Sequence, residues 1–221
     1  MSQLTLYAAG RPIPDAIDLI RRYCGLDWSG GSPEIWAWHY YDRVPSASPY
    51  EVTPVDVLCA GSLHSGLSRG ELQWFYARAD DLTSWLQVVP VDQPLFALDD
   101  DQLELVASLI ERFDGVSPTL LSKVLHRKRP NVVPLLDRHV IDWYRPLTGE
   151  RRAIAAWRPF VEALYAEDQE PEARLVSAIA LAEVQRELRA AAPDNPPLTW
   201  LRAKDIGIWM AHRTATDGKL A

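Results

Sequence analysis

The chain has 221 residues, 48% of them hydrophobic, and a formal net charge of −7. This length suffices for one sizeable core, and the acidic balance argues against a protein that coats nucleic acid non-specifically, because phosphate contacts dominate that kind of binding. The sequence has no apolar run of membrane length and no signal-peptide pattern, and its two cysteines indicate reduced thiols, so we expect a cytoplasmic protein without membrane partners.

Apolar residues recur at helical spacing along the chain, whereas the alternating pattern of strands is nearly absent. One short strand is predicted at 4–7. Helices are predicted at 14–23, 54–63, 71–86, 101–113, 153–165, 172–191 and 201–212, and a flexible tail at 214–221. Thr53 and the acidic run Asp99–Asp101 mark two of the helix starts. The sequence thus predicts a single all-α domain over 1–221, with two lobes and a cleft between them.

A glycine turn interrupts two amphipathic runs in the middle of the chain. Gly115 ends the first run, Ser117 is a good N-cap residue, and Pro118 fits the first position of a second helix. This pattern predicts a helix-hairpin-helix motif at about 102–127. The backbone N–H groups at such a helix start can hold a phosphate, although many helix–helix connections have no ligand.

Basic residues follow this turn. The segment Ser122–Arg138 contains five Lys or Arg residues and one Asp, a local charge of +4 that leaves −11 for the rest of the chain. A localised basic face on an acidic body suits focused contact with one site on DNA. A basic helix C-terminus also complements the helix dipole, so the patch has a purely structural interpretation as well.

Asp137 is the candidate catalytic carboxylate, and it too has two interpretations. It precedes the helical run Arg138–Tyr144, so it can serve as the N-cap of that helix. The residues alone favour the cap, and a role as an ionised carboxylate at a reaction centre depends on a family resemblance.

An aromatic cluster lies at Trp36, Trp38, Tyr40 and Tyr41. Such rings can wall a pocket for a flipped base. They can also fill the seam between two lobes, as most buried aromatic residues do, or form a protein interface.

Signals for other enzyme classes are missing from the sequence. There is no Gly-x-Ser-x-Gly elbow, no phosphate loop and no dinucleotide fingerprint. His126 and His139 do not have zinc-site spacing with the two distant cysteines. We therefore expect no metal and no cofactor.

The segment Phe113-Asp-Gly-Val-Ser117, followed by Leu136-Asp137-Arg-His139-Val140, resembles the helix-hairpin-helix DNA glycosylase superfamily of the endonuclease III type. In that family, a Leu-Pro-Gly-Val-Gly hairpin precedes an essential aspartate in a Val-Asp-Thr-His motif. The 22 positions from Gly115 to Asp137 agree with the family's spacing. The specific resemblance covers about 113–144.

The chain departs from this family at three points. Ser117 replaces the second hairpin glycine, which requires that this residue need not adopt a positive φ. Thr119 occupies the position of the lysine nucleophile, so it cannot form a Schiff base. Cys24 and Cys59 are the only cysteines, so the four-cysteine iron–sulfur loop is absent.

The resemblance implies a monofunctional DNA glycosylase, a hydrolase of base-excision repair, that acts on duplex DNA with Asp137 as catalytic carboxylate. The implied DNA-binding residues are Gly115, Val116, Ser117, Pro118, Thr119, Lys123, Arg127, Lys128 and His139. The implied base-pocket or wedge residues are Trp36, Trp38, Tyr40 and His64. The alternatives are a non-catalytic DNA-structure or lesion-binding protein and a protein-interaction module on the same fold.

Overall fold

A computed structural model describes residues 5–26, 37–63 and 66–217 of the protein. The N-terminal strands β1 (Leu6–Ala8) and β2 (Arg11–Ile13) form an antiparallel hairpin in which Leu6 pairs with Ile13. Ala9 and Gly10 form its turn, both with positive φ. The sequence predicted only the first strand, at 4–7, because β2 has three residues and contains a proline, which is unfavourable inside a sheet.

The remaining elements are helical. They are α1 (Ala16–Tyr23), a π-helical turn (Trp38–Asp42), α2 (Pro54–Gly61), α3 (Arg69–Ala77), α4 (Ala79–Val88), a 3₁₀ turn (Leu95–Ala97), α5 (Asp100–Ala107), α6 (Leu109–Arg112), α7 (Pro118–His126), α8 (Arg138–Thr148), α9 (Ala153–Glu167), α10 (Pro171–Ala191) and α11 (Trp200–Asp217). The prediction of a predominantly all-α protein is confirmed.

Two helices predicted as continuous are each broken once. The predicted helix 71–86 is interrupted at Arg78, and the predicted helix 101–113 at Ser108. The Ser108 hydroxyl donates to the Glu104 carbonyl at 2.7 Å. Serine bonding back to the preceding turn competes with the helical ladder and often bends a helix.

The predicted helix starts are confirmed at two places. Thr53 caps α2 in a capping box with Asp56, and Asp99 caps α5 in a capping box with Gln102. In both, the side chain of the cap satisfies an amide that the helix itself leaves without a partner.

The buried apolar side chains form one continuous core. In it, α1 and α8 pack against α11, α9 packs against α8, and α2 packs against α7. Every residue from Leu201 to Ile208 in α11 is buried, which makes this helix the central support of the fold.

The C-terminus differs from its prediction. Helix α11 continues to Asp217, beyond the predicted helix end at 212, and 218–221 lie outside the described residues. Flexibility of the tail at 214–221 stays a prediction. None of the helices in the described part of the chain combines the length and apolar character needed to cross a bilayer.

Candidate functional site

The predicted hairpin is present between α6 and α7. Gly115 has φ +83°, a conformation that glycine adopts without strain. The indole Nε1 of Trp74 donates to the Asp114 carbonyl at 2.9 Å and holds the turn. A Cβ at position 115 would lie 3.3 Å from that Nε1 atom, so both the backbone and the packing favour glycine here.

Ser117 fits the hairpin despite replacing a glycine. Its φ is −58°, so no positive φ is required, and its hydroxyl accepts the Leu120 amide N–H at 3.4 Å. Pro118 occupies the first turn of α7, as predicted. Because the first amides of a helix lack intrahelical partners, this turn retains the backbone character of an anion site.

The basic segment after the hairpin does not form an exposed face, which corrects the sequence-based expectation. Lys123 is 4% exposed and Lys128 is 2% exposed. The Lys128 Nζ lies 2.5 Å from the Asp56 carboxylate and donates to the Ser46 hydroxyl at 2.6 Å. A buried ammonium with these partners stabilises the fold and is not available to a DNA phosphate.

The neighbouring arginines are used in the same way. Arg127 donates to the Val44 carbonyl at 2.8 Å and lies 3.2 Å from Asp56. Arg129 is fully buried and donates to the Val89 carbonyl at 2.8 Å. Through these hydrogen bonds, the end of α7 holds the irregular segment 43–50 and the end of α4 in place.

Asp137 fulfils the cap interpretation and also lies at a cavity. Its Oδ1 accepts the Val140 amide N–H at 2.9 Å, at the start of α8. The residue is half-buried. It lines a narrow cavity of about 20 Å³ that opens to solvent, which is space for about one water molecule.

We refer to this space as the Asp137 cavity. Its polar and aromatic wall is formed by Tyr23, Lys123, Asp137, Arg202, Asp205 and Trp209. The Lys123 Nζ donates to the Leu63 carbonyl at 2.7 Å. Burial lowers the pKa of Lys123, while Asp137 and Asp205 oppose that shift. Lys123 therefore contributes a buried cation to the cavity wall, a role different from the predicted surface contact.

Arg202 organises the deep side of the cavity. Its Nε lies 2.7 Å from Asp42 Oδ1 and its Nη2 lies 2.8 Å from Asp42 Oδ2, while its Nη1 donates to Asp205 Oδ2. Tyr23 receives a hydrogen bond from the same guanidinium and donates its own hydroxyl proton to Asp42 at 3.1 Å. Two carboxylates from separate elements thus share one buried cation.

A family model matches residues 16–212, and its description is a family of unknown function, DUF6308. The chain belongs to this family. A search of curated proteins and a search of solved structures gave no match. The DUF6308 match runs from α1 into α11, so the hairpin and every residue of the Asp137 cavity wall lie within it.

The sequence of this DUF6308 chain did not lead us to predict three residues of the site, Asp42, Arg202 and Asp205. A signal for two of them was present, because Arg202, Lys204 and Asp205 interrupt an otherwise apolar run in a predicted helix. Charged residues are almost never fully buried unless they are paired. Lys204 lies 2.8 Å from Asp168 and does not line the Asp137 cavity.

The predicted base-pocket residues do not meet at Asp137. Trp38 is 2% exposed and lines a second, larger cleft, while Tyr40 is 62% exposed. Neither lines the Asp137 cavity, and their assignment to a base pocket or wedge stays a prediction. Trp36 and His64 lie outside the described residues.

His139 is half-buried near the start of α8, two positions after the Asp137 cap. Its ring lies 5.0 Å from the ring of His212 in α11. Burial lowers the pKa of His139. This environment favours packing between α8 and α11, and His139 is not part of the cavity wall.

The described residues contain no group of three or more His, Cys, Asp or Glu side chains placed to hold a metal ion. The wall of the Asp137 cavity presents carboxylates, buried cations, a tyrosine and a tryptophan.

Proposed function

We propose that this chain hydrolyses the base–sugar N-glycosidic bond of a nucleotide in DNA, with Asp137 as the essential carboxylate. The observation that carries the proposal is the position of Asp137 on the wall of a narrow cavity, beside the buried cation of Lys123. In this proposal the cavity widens when a flipped nucleotide enters it. The glycine hairpin of the resembling glycosylase family, with Gly115 at positive φ, supports the same activity.

The chemistry suits a single carboxylate. Breaking the bond between a base and its sugar develops positive charge on the deoxyribose. A carboxylate held in place by the Val140 amide stabilises that charge without reorganising. It can also orient the attacking water and accept its proton.

The contacts with DNA in this proposal differ from those expected from the sequence. Because Lys123, Arg127 and Lys128 bind protein groups, they are not the phosphate contacts. The hairpin backbone from Gly115 to Thr119 is the candidate, because amides at a helix start bind phosphate through hydrogen bonds and the helix dipole. Affinity that rests on few phosphate contacts has a shallow salt dependence.

The decisive experiment incubates the purified protein with duplexes that each contain one modified or mismatched base, then adds alkali to reveal abasic sites. Wild-type protein should release base from at least one duplex. Asp137→Asn should reduce the rate on it by about a hundredfold or more, the effect of losing a preorganised electrostatic group. Asp142→Asn is the matched control, since Asp142 lies on the same helix and pairs with Arg145 at 3.4 Å outside the cavity.

The control should leave the rate unchanged. Excision by Asp137→Asn at the wild-type rate would remove Asp137 from the reaction. Binding of DNA without base release from any duplex would favour a non-catalytic lesion-binding protein, and failure to bind DNA would favour a protein-interaction module.

Strand cleavage gives a second test. Thr119 has no amine, so cleavage should require added alkali, and borohydride should trap no covalent complex with DNA. Lys123 lines the cavity, so its amine is the candidate nucleophile in this test. A trapped complex that disappears in Lys123→Ala would make Lys123 a nucleophile and the enzyme bifunctional.

A further inference from the structure

A second carboxylate, that of Asp205, also lines the Asp137 cavity and comes from a different helix. It lies in α11 and is 8% exposed. Asp137 enters the same cavity from the start of α8. The reaction proposed above uses Asp137 and leaves Asp205 without a role.

The charges around Asp205 do not balance when all groups are ionised. The cluster contains three carboxylates, those of Asp42, Asp137 and Asp205, and two cations, those of Lys123 and Arg202. Full ionisation leaves one uncompensated negative charge in a largely buried cluster, which is costly. One proton held by a carboxylate makes the cluster neutral.

Two tyrosines, His126 and Lys204 do not supply the missing charge, and Arg127, a further cation beside Tyr41, pairs with Asp56 at 3.2 Å. Burial raises the pKa of both Tyr23 and Tyr41, so these phenols stay neutral. Burial lowers the pKa of His126 to about 3, so its ring is neutral as well. Lys204 follows Arg202 in α11 but pairs with Asp168 and Glu167.

Hydrogen bonding identifies the carboxylate that holds the proton. Asp42 accepts from two guanidinium nitrogens and from the Tyr23 hydroxyl, which favours its charged form. Asp137 accepts a backbone amide at a helix N-terminus, where negative charge is stabilised. Asp205 receives one hydrogen bond among the described residues, from Arg202. Asp205 is the carboxylate that the surroundings compensate least.

The pKa of Asp205 agrees with this assignment. Burial raises it to about 7, with further increases from Asp137 and Asp42 and opposition from Arg202 and Lys123. Two carboxylates in one site with different environments are the usual arrangement for dividing acid and base roles.

We propose that Asp205 is the proton donor to the departing base, and that the substrate is therefore a nucleotide whose base is neutral and must be protonated to leave. This inference rests on the proposed N-glycosidic hydrolysis. The C1′–N bond breaks and its electron pair stays with the base, which takes the proton of Asp205. Water adds hydroxide to C1′ and passes its proton to Asp137, and exchange with solvent then returns a proton to Asp205.

The test compares two kinds of leaving base. One set of duplexes carries hypoxanthine or uracil, which are neutral, and another carries 7-methylguanine, whose fixed positive charge lets it leave without a proton. Asp205→Asn should slow release of the neutral bases by about a hundredfold, the typical contribution of general acid catalysis. It should change release of 7-methylguanine by less than about threefold. Asp137→Asn should slow both.

The pH dependence supplies an independent readout. Wild-type release of the neutral bases should fall above about pH 7, as Asp205 loses its proton. Asp205→Asn should lack that decline. Equal loss on both kinds of substrate, or an unchanged rate on neutral bases, would overturn the role of Asp205.

Two further outcomes distinguish the role of Asp205 from the proposed glycosidic hydrolysis. Release of 7-methylguanine alone by the wild type, abolished in Asp137→Asn, would overturn the proton donor and leave the glycosidic hydrolysis in place. Release of no base from any duplex would overturn both. If Asp205→Asn does not fold, a carbon-13 NMR titration of the aspartate carboxyl groups in the wild type measures the pKa of Asp205 directly. An ordinary aspartate pKa for Asp205 would end the proposal.

Discussion

Asp137 and Asp205 face one cavity from two helices, and the charge of Asp137 helps to raise the pKa of Asp205. Different groups hold the two carboxylates in place. Asp137 is fixed by the start of α8, and Asp205 is fixed by Arg202 within α11. The relationship gives each carboxylate a separate environment and makes several properties of the protein testable.

The two functions of Asp137, cap and charge, can be separated by substitution. Asparagine offers an amide oxygen that accepts the Val140 N–H and ranks with aspartate as an N-cap residue. Asp137→Asn should therefore keep the free energy of unfolding, whereas Asp137→Ala should lower it by about 1 kcal/mol. Urea denaturation followed by circular dichroism measures both. Equal destabilisation by the two variants would show that the charge, not the cap, stabilises the fold.

Asp205 and His126 should give stability opposite dependences on pH. The folded pKa of Asp205 is about 7, above its ordinary 3.8, so this group stabilises below pH 4 and loses that contribution as pH rises to 7. The folded pKa of His126 is about 3, below its ordinary 6.5, so its contribution is present above pH 6.5 and is lost as pH falls. Each effect amounts to at most about 1.4 kcal/mol per pH unit.

Urea denaturation at several pH values between 4.5 and 6.5 tests whether Asp205 and His126 change stability in opposite directions. Asp205→Asn should lose stability on acidification more steeply than the wild type, because the opposing group is gone. His126→Gln should show the reverse change in slope. Identical slopes in all three proteins would mean that neither group changes its protonation on unfolding in this range.

Lys128 should behave as a structural residue. Its side chain and that of Asp56 are both fully buried. Removal of one partner of a buried ion pair leaves an uncompensated charge and costs about 3–5 kcal/mol. Lys128→Ala should therefore lower the free energy of unfolding by an amount in this range. Arg138→Ala, a change at an exposed cation beside Asp137, should cost less than about 0.5 kcal/mol.

Fluorescence anisotropy with a labelled duplex at several salt concentrations completes that comparison. A stable Lys128→Ala protein whose DNA binding shows a salt slope shallower by about one unit would place Lys128 at a phosphate instead.

Gly115 can be compared with a second glycine that shares its conformation. Gly149 also has a positive φ, +71°, but a Cβ there would meet no atom within 4 Å. Gly149→Ala should cost about 1 kcal/mol through backbone strain alone. Gly115→Ala should cost more, because its Cβ would lie 3.3 Å from an indole that is hydrogen-bonded to Asp114. Thermal unfolding of both variants, and of Gly115→Ala combined with Trp74→Phe, measures the contribution of the indole.

Equal costs at the two glycines would show that Trp74 yields without loss. Relief of the excess cost in the double variant would confirm that Trp74 is the neighbour that excludes a side chain.

Local features were predictable because they depend on neighbours in the sequence. Thr53 and Asp99 cap their helices through amides three positions away, and Gly115 forms its turn from its own freedom of φ. The helical run Arg138–Tyr144 predicted a helix cap at Asp137, which the structure contains. These interactions require no knowledge of the rest of the chain.

Burial of charge was not predictable in this way. The run Arg127–Arg129 suggests a solvated basic face in the sequence, yet the partners of Lys128 are Ser46, Ser48 and Asp56, more than 70 positions earlier. Asp205 draws its environment from Asp42, Lys123 and Asp137 on three other elements.

The sequence by itself determined most of the helices, several of their caps and the glycine hairpin, because short-range hydrogen bonds and helical periodicity specify them. Only the tertiary structure decided which charges are solvated and which are paired. It buried Lys128 against Asp56 and brought Asp205 to the cavity of Asp137. The strength of an electrostatic interaction depends on the distance and on the exclusion of water, and both are fixed only when distant segments pack together.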